Sequence, residues 1–168
     1  SDQRHSVPPD HDGKVEKMMT SEKWHRRFMA LAAHVATWSK DPSTQVGCVL
    51  VNDLHQVVGM GYNGFPRGVR DDADRYADRP TKYAMVVHAE ANAILNAVGS
   101  TRGAFAYVTH HPCATCSGLL IQADVRSIIT NPTPAGLAER FKDSFKASRA
   151  MLAESHVGIM ELEPANGK

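Results

Sequence analysis

The chain lacks any apolar run approaching the roughly 20 residues that span a bilayer, and its N-terminal stretch carries no apolar signal core. The expectation is a cytoplasmic protein with no membrane partner. It also lacks an excess of charge of one sign: 19 Lys plus Arg stand against 18 Asp plus Glu, a formal net charge of +1. No overall field therefore draws it to nucleic acid or an anionic surface, and a small molecule is the better partner. Cysteine is scarce and odd in number, three in all, which excludes the disulfide framework of a secreted scaffold. Cys113 and Cys116 then read as a reduced pair, metal-binding or redox-active. The Asn-x-Thr at Asn131 is spoiled as a glycosylation acceptor by Pro132. Internal repeats and low-complexity tracts are missing too.

What is present is 168 residues with 42% hydrophobic content, enough for one domain with a real core. Residues 1–20 are polar, include Pro8 and Pro9, and read as a mobile arm, leaving 21–165 as the domain. Trp24, Phe28, Leu31, Val35 and Trp38 recur at helical spacing and predict an amphipathic helix over 21–39. VGCVLV (46–51) and VVGMGY (57–62) flank NDLHQ and predict an antiparallel hairpin, with Cys48 a small buried hydrophobe in its first strand. Residues 64–82 are rich in Gly, Pro, Asp and Arg without a period and read as a long functional loop.

Ala91, Ile94, Leu95 and Val98 then mark a second helix, entered at His88 and closed by Gly99. AFAYVT (104–109), a helix opened by Pro112 in its first turn, and VRSIIT (125–130) give strand, helix, strand. Leu137, Phe141, Phe145 and Leu152 mark one long helix to about Ser155, and VGIMEL (157–162) supplies a last strand. This alternation predicts an α/β fold with a five-stranded sheet, parallel apart from its opening hairpin. Its ligand site is expected beyond the carboxyl ends of the strands.

The stretch HHPCATC (110–116) admits a redox pair, a closed zinc knot or most of a catalytic metal site. Two cysteines three apart on one helical face can reach one ion, and a helix N-terminus favours their thiolates. His88, 25 residues upstream and also at a predicted helix start, offers a third ligand. Glu90 decides between the readings, since a structural knot has no use for a carboxylate beside the metal whereas a hydrolytic site needs a proton carrier. His110 or His111 would be the fourth ligand of a closed site. Otherwise they donate hydrogen bonds around it or simply pack. His-x-Glu followed by Pro-Cys-x-x-Cys is the signature of zinc-dependent nucleobase deaminases.

Beyond these motifs, SKDPSTQVGCVLVN (39–52), GMGYNGFPRGVRDD (59–72), HAEANAIL (88–95) and HHPCATCSGLLIQADV (110–125) resemble, in order and spacing, the deoxycytidylate (dCMP) deaminase family. The resemblance covers most of 21–130, and GYNGFPRG is its most specific element. It implies a three-layer α/β/α fold with a mixed five-stranded sheet. It also implies Zn2+ held by His88, Cys113 and Cys116, Glu90 as proton carrier, and hydrolysis of dCMP to dUMP and ammonia. The Ala89 N–H would hold the pyrimidine carbonyl and Asn63 a sugar hydroxyl. Ser39, Lys40 and Gln45 become candidates for the 5′-phosphate, with Arg67, Arg70, Arg79 and Lys82 as further ones.

Relatives carrying this segment imply activation by dCTP with Mg2+, inhibition by dTTP, and a homohexamer. A glycine- and proline-rich turn with a fixed cation suits a polyphosphate. The effector would meet Gly61, Tyr62, Gly64, Pro66, Arg67 and Gly68, with Asp71 or Asp72 on the ion. Three alternatives share the zinc site: a tRNA-adenosine type of deaminase, a deaminase of a modified or differently phosphorylated cytosine nucleotide, and a non-catalytic zinc module.

Overall fold

A computed structural model describes residues 21–164. The arm expected over 1–20, and residue 165 of the expected domain, lie outside them. Helix α1 (Glu22–Ala36) turns Phe28, Met29, Ala32 and Val35 inward, but Trp38, expected on the same stripe, lies past its end and is 48% exposed. Strands β1 (Gly47–Val51) and β2 (Val57–Tyr62) form the expected hairpin. The Asn52 side chain closes its connection by accepting the N–H groups of Leu54 and Gln56. Cys48 is fully buried, as expected.

Two short helices follow, α2 (Ala73–Ala77) and α3 (Arg79–Met85), where the sequence predicted an unbroken loop. With five and seven residues, neither is long enough to display an apolar period. Helix α4 (Ala89–Leu95) leads to β3 (Phe105–Val108), α5 (Ala114–Gln122) and β4 (Ser127–Thr130). The single long helix expected after β4 is broken at Phe141 into α6 (Ala135–Arg140) and α7 (Lys142–Glu154), before β5 (Gly158–Glu161). A one-residue break leaves the spacing of its apolar residues almost intact and so does not register in the sequence. Among the described residues, no helix is long and apolar enough to cross a membrane.

The sheet runs β2-β1-β3-β4-β5 and is mixed. Both β2 and β3 are antiparallel to β1, while β4 and β5 continue parallel to β3. Outside the hairpin β3, β4 and β5 are parallel to one another as expected, and the antiparallel seam between β1 and β3 joins them to it. The strand-helix-strand rule does hold for β2-α4-β3, whose strands share a direction, but the crossover passes over β1 and docks β3 on its far side. Period-two alternation then sorts the core into two. Val49, Val51, Phe105 and Tyr107 meet α1, while Cys48, Leu50, Ala106 and Val108 meet α4 and α5. The result is three layers, α/β/α, with a core on each face of the sheet.

The face of α4 is only in part the predicted one, for Ile94 alone of its large apolar residues packs against the core. Leu95 and Val98 are 77% and 83% exposed, and Ala89 and Ala93 are buried against β2. Two strand glycines permit that approach: a Cβ on Gly59 would come within 2.4 Å of the Ala93 carbonyl oxygen, and one on Gly61 within 2.3 Å of the Ala93 nitrogen. Small residues on both sides therefore make the contact, which a search for large apolar residues overlooks. The same approach seals the sheet edge, because Val98 N–H, Asn96 Nδ2 and Asn92 Nδ2 donate to the carbonyls of Val58, Met60 and Tyr62. Gly61→Ala should force α4 outward and lower stability by about 1–3 kcal/mol, the usual range for overpacking. Denaturant melts would measure it, and an unchanged midpoint would show that α4 can retreat freely.

Candidate metal centre and active site

His88 and Cys113 are the N-cap residues of α4 and α5, both in extended backbone conformation. The two helices thus begin at one place, beyond the carboxyl ends of β2 and β3. Pro112 lies just ahead of the cap instead of in the first turn. The Cys113 sulfur does the work usual for a Ser or Asp cap by accepting the Cys116 N–H at 3.4 Å. His88 Nδ1 lies 3.5 Å from Cys113 Sγ and 3.4 Å from Cys116 Sγ, and all three donor atoms fall within 4.8 Å of one another.

A tetrahedral zinc with bonds of about 2.3 Å to sulfur and 2.0 Å to nitrogen would separate those atoms by about 3.5 Å. The donor set and its spacing therefore fit Zn2+. The electrostatics agree. Cys113 is pulled down to about 4, first by the hydrogen bond from the Cys116 thiol, against burial, and further by His88 and the Cys116 N–H. Cys116, as the donor in that pair, is pushed up. His88 is raised, chiefly by its hydrogen bond to Cys113.

Glu90 follows two residues into α4 and is only 4% exposed. Burial raises its carboxyl pKa, opposed by its own backbone N–H and by His88. A buried carboxyl whose pKa is raised, set beside three metal donors, is suited to carry a proton. The Ala89 N–H is among the first of α4 and has no carbonyl acceptor within the helix. His88, Ala89, Glu90 and Cys113 all line one cavity of about 310 Å³.

Asn63 lines the cavity too, but most of its amide is committed to the fold. Oδ1 accepts the Val46 N–H at 2.8 Å, and Nδ2 donates to the Thr44 carbonyl at 2.9 Å. One Oδ1 lone pair is left for a ligand. The phosphate candidates divide. Ser39, Lys40 and Gln45 do not line the cavity: the Ser39 hydroxyl donates to the Asn63 carbonyl, Gln45 Nε2 donates to the Ser39 carbonyl, and Lys40 reaches outward to Asp71 at 2.9 Å. The next residues of that loop, Asp41 to Thr44, line it instead.

Lys82 Nζ meets both oxygens of the buried Asp41 at 2.9 and 2.8 Å, so its charge is already matched. Arg79 also lines the cavity, and with it Arg140, which the sequence did not single out. Among the described residues neither guanidinium has an acidic partner, and Arg140 lies over the Phe141 ring at 4.9 Å. No motif announced Arg140, Phe141 or Phe145 as cavity residues, since their signal is only the apolar spacing of a helix.

The expected effector segment is largely used by the fold. The Gly64 N–H and carbonyl pair with Val87, the Asn63 N–H donates to Val46, and the Val69 N–H donates to Pro66. Gly61 serves the contact with α4, Tyr62 meets the edge of Trp38, and Gly68 holds φ +76° as the turn requires. Asp71 pairs with Lys40 and Asp72 with Arg70. Arg67 reaches Asn96 Oδ1 at 3.2 Å.

A histidine and two cysteines at converging helix starts, with a buried carboxyl beside them, define the zinc-dependent deaminase class of site. A family model described as the cytidine and deoxycytidylate deaminase zinc-binding region matches residues 22–131. The chain belongs to that family. It is 37% identical over 137 residues to an uncharacterized deaminase in the luxG 3′ region of Aliivibrio fischeri, covering 82% of this chain and 92% of that one. It is 38% identical over 143 residues to human deoxycytidylate deaminase, covering 82% and 77%. The crystal structure of a dCMP deaminase from cyanophage S-TIM5, solved with dCMP and dUMP, shares the fold with a TM-score of 0.65 at 21% identity, covering 93% and 99%.

Proposed function

We propose that this protein hydrolyses dCMP to dUMP and ammonia with one Zn2+ held by His88, Cys113 and Cys116. The observation that carries the reading is the buried Glu90 carboxyl beside those three donors, in a cavity roomy enough for a nucleotide base. The dCMP assignment draws on relatives such as the human enzyme. Bound zinc supplies water activation, bringing the pKa of water to about 7. Glu90 accepts a proton from the attacking water and gives it to N3 as the C4–O bond forms. It then takes the proton of the new C4 hydroxyl and passes it to the amino group, so that the C4–N bond breaks, the C4 carbonyl forms and ammonia leaves.

The Ala89 N–H orients the pyrimidine carbonyl, and the spare lone pair of Asn63 Oδ1 accepts from a sugar hydroxyl. Arg79 and Arg140, the unmatched cations of the cavity, serve the 5′-phosphate better than Ser39, Lys40 or Gln45. A reducing compartment such as the cytoplasm suits the site, since both ligand cysteines are free thiols. Near-neutral charge speaks against the tRNA alternative.

Glu90→Gln should keep stoichiometric zinc and lower kcat by about 10²–10⁴, the usual range for removing a general acid-base group. Metal analysis beside an ammonia assay measures both, and normal turnover rejects the role. Cys113→Ala and Cys116→Ala should instead lose zinc.

Arg79→Ala and Arg140→Ala should raise KM for dCMP about tenfold, the effect of losing one charge-assisted contact near solvent. Use of deoxycytidine, which has no phosphate, should not change. Equal losses on both substrates would move the phosphate elsewhere.

Regulation by dCTP with Mg2+ and by dTTP, in a homohexamer, draws on the family resemblance. Local geometry supports it through Arg67, exposed beside Asn96. A sigmoidal rate curve that dCTP with Mg2+ makes hyperbolic and dTTP shifts right is the expected result, with hexamer mass by light scattering. A hyperbolic curve unmoved by either nucleotide removes the switch.

A further inference from the structure

Helix α7 lies wholly beyond the family-matched residues, yet it touches the cysteine turn at both ends. Ser144 Oγ accepts the N–H of Ala114, the first residue of α5, at 2.9 Å. One turn later on the same helix face, Ser148 Oγ lies 3.1 Å from His111 Nε2 and 2.6 Å from Ser117 Oγ. Ser117 and Ser148 are fully buried, and the Ser117 hydroxyl also faces the Pro112 carbonyl at 3.5 Å. His111 is fixed in turn, its ring edge-on to Phe145 at 4.9 Å.

The partners of the two serines, residues 111, 114 and 117, bracket Cys113 and Cys116. The α5 N-terminus therefore has two acceptors for its leading N–H groups: Cys113 Sγ takes that of Cys116, and Ser144 takes that of Ala114. Because Ser144 holds the Ala114 N–H, that group does not compete for the sulfur or turn the helix toward another partner. Ser148 joins the strand-side His111 to the helix-side Ser117, so the turn between them cannot open without breaking buried hydrogen bonds.

We propose that Ser144 and Ser148 are positioning residues for the two thiolate ligands, with α7 holding the Cys113–Cys116 turn in its metal-binding shape before the metal arrives. The inference rests on the zinc reading above and adds hydrogen bonds to the cysteine turn from outside the family-matched residues. Partners of this kind commonly account for a 10- to 100-fold change in metal affinity.

The test uses the full chain stripped of metal, with zinc affinity read by competition against a chromophoric chelator. The thiolate-to-metal absorption of the Co2+-loaded protein reports both sulfurs. Ser144→Ala should weaken zinc about tenfold or more and alter the cobalt band, while far-ultraviolet dichroism stays unchanged. Ser144→Thr, which keeps an Oγ acceptor, should restore both. Ser148→Ala should act in the same direction, and since that site is buried, the half-exposed Ser144 carries the decision. Wild-type zinc affinity and an unaltered cobalt band in Ser144→Ala would overturn the inference alone. A wild-type chain that takes up no zinc would overturn the metal reading, and this inference with it.

Discussion

Two helix N-termini meet at one point, and the rest of the site follows from that meeting. Each helix start presents N–H groups with no carbonyl to accept them, a concentration of positive potential that stabilises thiolates and carboxyl oxygens alike. His88 and Cys113 occupy the two N-cap positions, so their side chains leave the helices at the convergence itself. Cys116 and Glu90 follow within the first turn of their helices. Four functional groups thus come from two short stretches of chain, and no loop has to be ordered separately to bring them together.

That convergence depends on how closely α4 can approach the sheet. Gly59 and Gly61 on β2 meet Ala89 and Ala93 on α4, and any Cβ on those glycines would collide with helix backbone. The contact also sets the depth of Glu90: a helix held further out would admit water to its carboxyl and remove the burial that raises its pKa. A packing choice made by glycine in a strand is therefore felt as acid-base chemistry in the neighbouring helix. Asn92 and Asn96 from α4 then cover the carbonyls of the edge strand, so one helix both completes the site and closes the sheet.

The parts of this arrangement legible in the sequence are those with short-range signatures. His88, Glu90, Cys113 and Cys116 announce themselves by spacing, and β1, β3 and β4 by continuous apolar runs that fit strands buried on both faces. What was not legible depends on partners distant in the chain. The place of β3 beside β1 is set by which edge the crossover reaches. The core face of α4 is made chiefly of Ala89 and Ala93, with Ile94 beside them, and a search for large residues favours the exposed Leu95 and Val98 instead. In the loop over 39–45 the cavity is lined by Asp41 to Thr44, and not by the Ser39, Lys40 and Gln45 that the sequence singled out. Its Asp41, fixed by Lys82 from α3, turns the carboxylate and the residues after it toward the cavity, while Ser39 and Gln45 brace the loop from behind.

The metal donors and Glu90 lie within the family-matched residues, but part of what surrounds them does not. Leu137, Arg140, Phe141 and Phe145 bound the cavity from α6, α7 and the break between them, and Ser144 and Ser148 grip the cysteine turn from α7. Phe141, at the break, and Phe145 line the cavity, while Ser144 and Ser148 of α7 face α5. The proposed chemistry is housed in the family-matched core, while the final segment supplies part of the cavity wall and hydrogen bonds to the cysteine turn. Substitutions in that segment can therefore alter substrate fit and metal hold together, without touching a single metal donor.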